Sequence, residues 1–325
     1  MRQRGIAVLP KVVVTLPIPD GVKQRLASDC VLQCWNEPDP IPCGLLQDWL
    51  KDSVGILCSL GTRISADMLA EAKQLRVIST LSVGVDHIDV AAASRAGIAV
   101  GHTPGVLTDS TADLTLALML ALSRRVLEGH RYVASGEWTD GWSPNLLLGS
   151  DLSRARVGLV GLGPIGQAVA KRLRAFGSEV IAWNRTPRHI EGVSMVDLDT
   201  LFTTADFVSL HVASTADTYH LVSRDRLAQM KLGATLINTA RGALVDEQAL
   251  AEALASGRLS AGLDVYQTEP LPQDSRLLGL DNVVLLPHVG SATATTRHAM
   301  MALAIDNLVA GLHRQPLPAH CNAAQ

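Results

Sequence analysis

The chain is poor in the features that mark disulfide, metal, membrane or nucleic-acid chemistry. Its five cysteines (Cys30, Cys34, Cys43, Cys58, Cys321) form an odd set with no CxxC pair and no histidine-rich partner segment. That argues against a disulfide framework and against a zinc site, and points to free thiols in a reducing, cytoplasmic setting. The net charge is only −3. Such a balance gives no electrostatic case for nucleic acid or an anionic membrane as partner. Long apolar runs are absent too. Leu114 to Leu122 stops at Ser123-Arg124-Arg125, well short of the roughly 20 residues that span a bilayer, and reads as a buried helix. Met1-Arg2-Gln3-Arg4 followed by Ile6 to Leu9 imitates a targeting peptide, but Pro10 and Lys11 interrupt it and Val12-Val13-Val14 reads as a first strand.

What is present is apolar and regularly spaced. With 325 residues and 47% hydrophobic content, the chain can build two packed cores in about two domains. Strand-like runs occur at Val12–Leu16, Val54–Leu57, Val77–Leu81, Ile98–Val100, Val157–Val160, Val180–Trp183, Phe207–Val212, Thr235–Asn238, Ala261–Val265 and Val283–Leu286, with helix-length spacers between them. This alternation predicts an α/β fold with two doubly wound parallel sheets. One long central helix is predicted from Asp109-Ser110-Thr111, whose side chains can cap free amides, to just before Gly136. Thr103-Pro104-Gly105 and Pro287 read as crossings between domains, and Ala292 to Gly311 as a last helix with no sheet of its own left to cover. The expectation is a discontinuous, flavodoxin-like substrate domain (1–104 and 287–325) into which a Rossmann cofactor domain (105–286) is inserted.

The glycine loop Gly161-Leu162-Gly163-Pro164-Ile165-Gly166 is weak as a bare motif and stronger in context. Arg156-Val157-Gly158-Leu159-Val160 feeds it as a strand. Ile165, Ala168, Val169, Leu173 and Phe176 then recur at helical spacing until Gly177. That is the order a dinucleotide-binding βα unit needs: Gly161 for the turn, Gly163 for approach of the pyrophosphate, Gly166 for close packing of helix and strand. The next strand ends at Asn184-Arg185-Thr186, without the Asp or Glu that accepts hydrogen bonds from the ribose hydroxyls in NAD-preferring sites. Arg185, with Arg188 nearby, can pair with a phosphate. The reading is NADP(H) preferred, NAD(H) possible. The bland alternative is that Arg185 covers the adenine face.

Downstream stand Arg241, Glu269 and His288, in that order, each just past a strand-like run. In open parallel sheets ligands bind outside the carboxyl ends of strands. An arginine can hold a carboxylate and polarise a carbonyl, a histidine can donate a proton, and a carboxylate can keep that histidine charged. Together they suit reduction of a carbonyl.

At this point the residues match a family. Ser82-Val83-Gly84-Val85-Asp86-His87-Ile88-Asp89, the glycine loop, Asn238-Thr239-Ala240-Arg241-Gly242 and Leu286-Pro287-His288-Val289-Gly290-Ser291-Ala292-Thr293 resemble, in family order, the signatures of the D-isomer-specific 2-hydroxyacid dehydrogenases. Val77 to Gly84, Thr103 to Asp109 and Asn307 to Leu312 resemble the glyoxylate/hydroxypyruvate reductase branch. The resemblance implies reduction of a small 2-oxo acid. Arg241 would bind the substrate, His288 would be the acid/base, and Glu269 would orient and charge it. The amides of Val83 and Gly84 would hold the substrate carboxylate, with Leu60 bounding the pocket. Cofactor contacts would come from Leu162, Gly163, Pro164, Ile165, Asn184, Arg185, Thr186, Val212, Ala213, Thr218, Thr239, Ala240, Arg241, Asp264, His288 and Gly290. Thr108 would lie beneath the nicotinamide, and Asp264 would meet its carboxamide. Ala213 departs from the proline that relatives often carry there, and Pro164 sits where a first helical turn tolerates it.

The resemblance also implies a homodimer embraced by the central helix and the loop Gly136 to Pro144, with Trp142 reaching the neighbouring site. For Trp138 and Trp142 the competing reading is packing against the preceding helix. The rival functions are another 2-hydroxyacid dehydrogenase, acting on phosphoglycerate or on a broad range of 2-keto acids, and a non-catalytic NAD(H)-sensing corepressor. Water must be excluded during hydride transfer, and closure of two domains is the expected means.

Overall fold

The computed structural model describes residues 9–322; the leader-like stretch read at Met1 to Leu9 therefore lies, but for Leu9, outside the described residues. Two compact units emerge. The first runs to Leu107 and resumes at Thr293, and the second spans Thr108–Ala292.

In the first unit the chain runs β1 (Lys11–Val14), α1 (Asp20–Leu26), β2 (Val31–Cys34), α2 (Cys43–Leu50), β3 (Gly55–Cys58), α3 (Ala66–Glu71), β4 (Val77–Thr80), α4 (Val90–Arg95) and β5 (Ala99–Gly101). The strands are parallel in the order β2-β1-β3-β4-β5. This is the flavodoxin-like order. β1, β3 and β4 are buried almost throughout, polar Ser79 and Thr80 included, because helices cover both faces, giving one core around Ile56, Ile78 and Val100 and another around Val12, Leu57 and Val77.

The second unit contains α5 (Thr108–Ser123), α6 (Val126–Ala134), β6 (Arg156–Val160), α7 (Pro164–Phe176), β7 (Glu179–Trp183), β8 (Ser194–Met195), α8 (Leu198–Thr204), β9 (Phe207–Leu210), α9 (Arg224–Gln229), β10 (Thr235–Asn238), α10 (Glu247–Ala255), β11 (Ser260–Leu263) and β12 (Val283–Leu285). Its parallel sheet is ordered β12-β11-β10-β9-β6-β7-β8. The order reverses between β6 and β9, the switch point at which such sheets bind ligands.

The last helix, α11 (Ala294–Leu312), returns to the first unit as expected. Gly311 lies against Val77, where an added Cβ would come within 2.4 Å of the valine side chain. Glycine there lets α11 lie close on β4, and Leu308, fully buried, contributes roughly 1.5–3 kcal/mol of apolar burial.

The structure departs from the sequence reading in four places. The central helix is two helices, because Arg125 turns left-handed at φ 50° and its guanidinium grips Glu128 at 2.7 Å (Nε to Oε2) instead of continuing the turn. Ser110 and Thr111 do not cap a helix. Both hydroxyls donate to the Gly290 carbonyl, at 2.8 and 3.3 Å. The strands β2 and β8 went unread, the first being only partly buried and the second two exposed residues. The chain re-enters the first unit a few residues after Pro287, since Val289 and Gly290 are bound to Asp264 within the second.

All five cysteines are free thiols. Among the described residues no helix is long and apolar enough to cross a membrane, and no group of three or more His, Cys, Asp or Glu is placed to hold a metal ion.

Candidate active site

Three strand ends in the second unit assemble the chemistry. At the end of β10, the buried Asn238 ties the next three residues into a turn: its Oδ1 accepts from the Ala240 amide at 3.0 Å and its Nδ2 donates to the Arg241 carbonyl at 2.9 Å. Arg241 is thereby set at the mouth of the loop. The loop after β11 then passes so close that a Cβ on Gly242 would fall 1.8 Å from the Tyr266 carbonyl carbon. Only glycine allows the two loops to meet.

Beyond β11, Glu269 is held by the Tyr266 amide, which donates to its Oε1 at 3.0 Å. Its other oxygen, Oε2, lies 2.7 Å from His288 Nδ1. Burial alone would raise the Glu269 carboxyl. The His288 hydrogen bond and charge, the Tyr266 amide and the Arg241 guanidinium outweigh it and hold the carboxyl below its ordinary value. Glu269 is thus an anionic acceptor, so Nδ1 of His288 carries the hydrogen. His288 Nε2 is left as the outward nitrogen, on a side chain 31% exposed.

His288 has φ 55°, a left-handed conformation that costs a residue with a Cβ about 1 kcal/mol or more. Asp264 holds it there. Its two carboxylate oxygens accept from the amides of Val289 and Gly290 at 2.7 and 2.8 Å. Burial raises the Asp264 carboxyl and dominates over these two amides and over His288. The residue read as a carboxamide partner therefore first shapes the turn that carries the acid. Tyr266 adds a strut: its hydroxyl donates to the Leu286 carbonyl at 2.8 Å, and burial pushes its pKa up to about 12.

The glycine loop occupies the switch point. Gly161 has φ +104°, and a Cβ there would meet the His211 carbonyl oxygen at 2.7 Å. Gly166 backs onto the Gly161 carbonyl, whereas an added Cβ at Gly163 would meet nothing within 4 Å. The loop is packed on its inner side and open at Gly163. Pro164 starts α7, where its missing amide costs nothing, and the first-turn amides of Ile165 and Gly166 remain as donors for an anion. These residues fit a dinucleotide pyrophosphate.

Asn184, at the end of β7, is turned inward: Oδ1 accepts from the Leu162 amide at 2.9 Å and Nδ2 donates to the Thr186 carbonyl at 2.6 Å. It braces the loop. Arg185 and Arg188 are exposed and, among the described residues, in no ion pair. Other expected contacts are likewise engaged within the unit. Thr239 shares a hydrogen bond with Thr115 at 3.0 Å, and Thr218 donates to the Ala213 carbonyl at 2.7 Å. Thr108 opens α5, and Val212 lies beside the glycine loop.

Leu60, Val83 and Gly84 belong to the first unit, all partly exposed, and Trp142 stands 83% exposed in the segment after α6. Trp138 is half exposed with its indole nitrogen bonded to the Gly141 carbonyl, so neither tryptophan packs into the core of its own unit. The sequence reading missed Asn238, Tyr266 and Gly242 as builders of the site. Asn238 and Gly242 carried a signal, an Asx residue closing a buried strand and a glycine where no helix ends. Tyr266 carried none.

Comparison with known proteins places this geometry. Residues 116–290 match the family described as D-isomer specific 2-hydroxyacid dehydrogenase, NAD binding domain. A glyoxylate reductase/hydroxypyruvate reductase from Mus musculus is 44% identical over 321 residues, covering 96% of this chain and 98% of that one. A glyoxylate reductase from Thermofilum pendens is 43% identical over 321 residues, covering 96% and 94%. Among solved structures, the NADPH-dependent glyoxylate/hydroxypyruvate reductase from Sinorhizobium meliloti, in complex with NADP and malonate, aligns with a TM-score of 0.85 at 33% identity, over 96% of this chain and 97% of that one.

Proposed function

The chain belongs to the D-isomer specific 2-hydroxyacid dehydrogenases, and from that premise we propose that it reduces glyoxylate and hydroxypyruvate to glycolate and D-glycerate, with NADP(H) preferred over NAD(H). The observation that carries this reading is the 2.7 Å pair between His288 Nδ1 and an ionised Glu269, one loop away from Arg241. A proton donor and a carbonyl-polarising cation are what 2-oxo acid reduction asks of a protein.

The reduced nicotinamide, when bound, supplies the hydride. The remaining work falls to side chains. Negative charge gathers on the carbonyl oxygen as the keto carbon is reduced, and the Arg241 guanidinium stabilises it there. His288 delivers the proton through Nε2, since Nδ1 is committed to Glu269. Glu269 fixes the tautomer and offsets the positive charge of the donor form. The amides of Val83 and Gly84 hold the substrate carboxylate, and Leu60 bounds the pocket. Gly161 to Gly166 would hold the pyrophosphate, while Thr186, Val212, Ala213, Thr218, Thr239, Ala240, Asp264 and Gly290 would line the rest of the cofactor's course.

NADP(H) preference rests on what stands at the end of β7. No carboxylate is there to bond the ribose hydroxyls or repel a 2′-phosphate, Asn184 is spent on the loop, and Arg185 is exposed. The Sinorhizobium relative is described with NADP. The reading extends to a homodimer joined through α6 and the segment after it.

Steady-state assays of glyoxylate, hydroxypyruvate, pyruvate and phenylpyruvate, each with NADPH and NADH, test the proposal. The highest kcat/KM should fall on glyoxylate or hydroxypyruvate with NADPH. No turnover of any 2-oxo acid would overturn it.

A further inference from the structure

Within the first unit, three successive peptide carbonyls after β4 are each engaged. The Ser82 carbonyl accepts from the Thr103 amide at 2.8 Å. The Val83 carbonyl lies 3.0 Å from His102 Nδ1, and the Gly84 carbonyl accepts from the Ser82 hydroxyl at 2.7 Å. In a planar trans peptide the N–H points opposite to the C=O of the same unit. The Ser82 and Val83 carbonyls both face the 102–103 segment, so the amides of Val83 and Gly84 both face away from it, on one side. An extended strand would alternate them. Among the described residues these two amides meet no protein acceptor.

We propose that His102 and Ser82 are positioning residues, turning the amides of Val83 and Gly84 together toward the substrate carboxylate; this rests on the reductase reading above. Hydrogen counting fixes the direction of every bond. A carbonyl only accepts, so His102 must carry its hydrogen on Nδ1. Ser82 spends its one hydrogen on Gly84 and must accept from Thr80 Oγ1 at 2.9 Å, and Thr80 in turn accepts from His87 Nε2 at 3.0 Å. The chain of donors runs from His87 through Thr80 and Ser82 to the loop.

The returning helix anchors the other end. Asn307, fully buried on α11, donates to the His102 carbonyl at 2.9 Å and accepts from the Ala319 amide at 2.8 Å. The His102 amide donates to the Ala319 carbonyl at 3.1 Å. Gly101 permits this contact, since a Cβ there would lie 2.6 Å from that of Asn307. The return of α11 to the first unit thus has a chemical consequence: it sets the backbone from which His102 reaches Val83.

The test compares wild type with His102→Leu, His102→Asn and Ser82→Ala, reading the KM for glyoxylate and for NADPH, kcat, the Ki of oxamate (an unreduced carboxylate analogue) and the thermal midpoint. His102→Leu and Ser82→Ala should each raise the glyoxylate KM and the oxamate Ki in parallel by about five- to tenfold, the worth of one hydrogen bond. The NADPH KM should stay within about twofold. His102→Asn, whose Nδ2 stands off Cγ much as Nδ1 does in histidine, should restore most of the loss. An unchanged oxamate Ki in folded His102→Leu and Ser82→Ala would overturn the positioning role. Should His102→Leu fail to fold, Ser82→Ala against wild type decides alone. Wild type inert toward glyoxylate and indifferent to oxamate would overturn the reductase reading itself.

Discussion

At the residue scale the site turns on which groups are charged before substrate arrives. Burial opposes the ionisation of Glu269, yet the His288 hydrogen bond and charge hold its carboxyl below its ordinary 4.5. A carboxyl whose folded pKa is depressed adds stability above its unfolded pKa and loses it as pH falls through the folded value. Glu269→Gln should therefore lower the thermal midpoint most near neutral pH, with the difference shrinking toward strong acid. Its turnover should survive in part, because His288 keeps its outward Nε2 while losing the anionic acceptor that fixes its tautomer. A variant whose thermal midpoint matches wild type at neutral pH would refute the pairing. His288→Gln removes the donor itself and should lower kcat by at least about a hundredfold with NADPH binding intact. Arg185→Ala should raise the KM for NADPH several times more than for NADH, about tenfold if one phosphate contact is lost; equal losses would instead make Arg185 a cover for adenine. Arg241, Glu269 and His288 were legible as candidates because each is a reactive side chain within a few residues of the end of an apolar, strand-like run. The turn-shaping role of Asp264 was not, since a carboxylate accepting two amides 25 and 26 residues away has no local pattern.

Elements bring those residues together by close approach of loops, and that is where a single methyl group tells. Gly242 lies so near Tyr266 and Gln267 that alanine would force the loops after β10 and β11 apart. Overpacking of this kind costs typically about 1–3 kcal/mol, and more where only backbone can yield. Gly242→Ala should lower the thermal midpoint and reduce kcat by at least about tenfold, through displaced Arg241 and Glu269, with a smaller change in NADPH affinity. A variant of wild-type stability and rate would mean that the loops are less tightly joined. The sheets themselves were readable in sequence because their strands are buried on both faces and so nearly continuous in apolar residues, as at Val12-Val13-Val14 and Leu236-Ile237. β2 fell outside that signal with Gln33 and Cys34 in it, and β8 with only Ser194 and Met195. The helix break at Arg124-Arg125 was hidden for another reason. Helical spacing of apolar residues continues across it, and the left-handed turn depends on the Arg125–Glu128 contact instead of on glycine or proline.

On the scale of the whole molecule, one stretch of chain is too apolar for the solvent it meets. α6 buries none of its residues, and Val126, Val133, Trp138, Trp142 and Leu148, all on this helix or soon after it, are each at least 50% exposed. Single exposed apolar residues are ordinary, but a run of them rimmed by charge marks a surface meant to be covered. Tryptophan at 83% exposure is the strongest member, since a buried indole contributes more at an interface centre than almost any other side chain. The proposed homodimer covers this surface with the same surface of a second copy, as two-fold symmetry requires. Sedimentation at micromolar concentration should then show a dimer. Val133→Glu with Leu148→Glu should shift it toward monomer, because charges would be buried without partners. Trp142→Ala is the finer probe. If Trp142 reaches the partner's substrate site, its loss should change the ratio of kcat/KM for hydroxypyruvate to glyoxylate by about threefold or more, with the KM for NADPH nearly unchanged. If it only seals the interface, the substrate ratio should hold while the dimer weakens on dilution. A wild-type monomer with full activity would remove both roles and leave the exposed stretch to another partner.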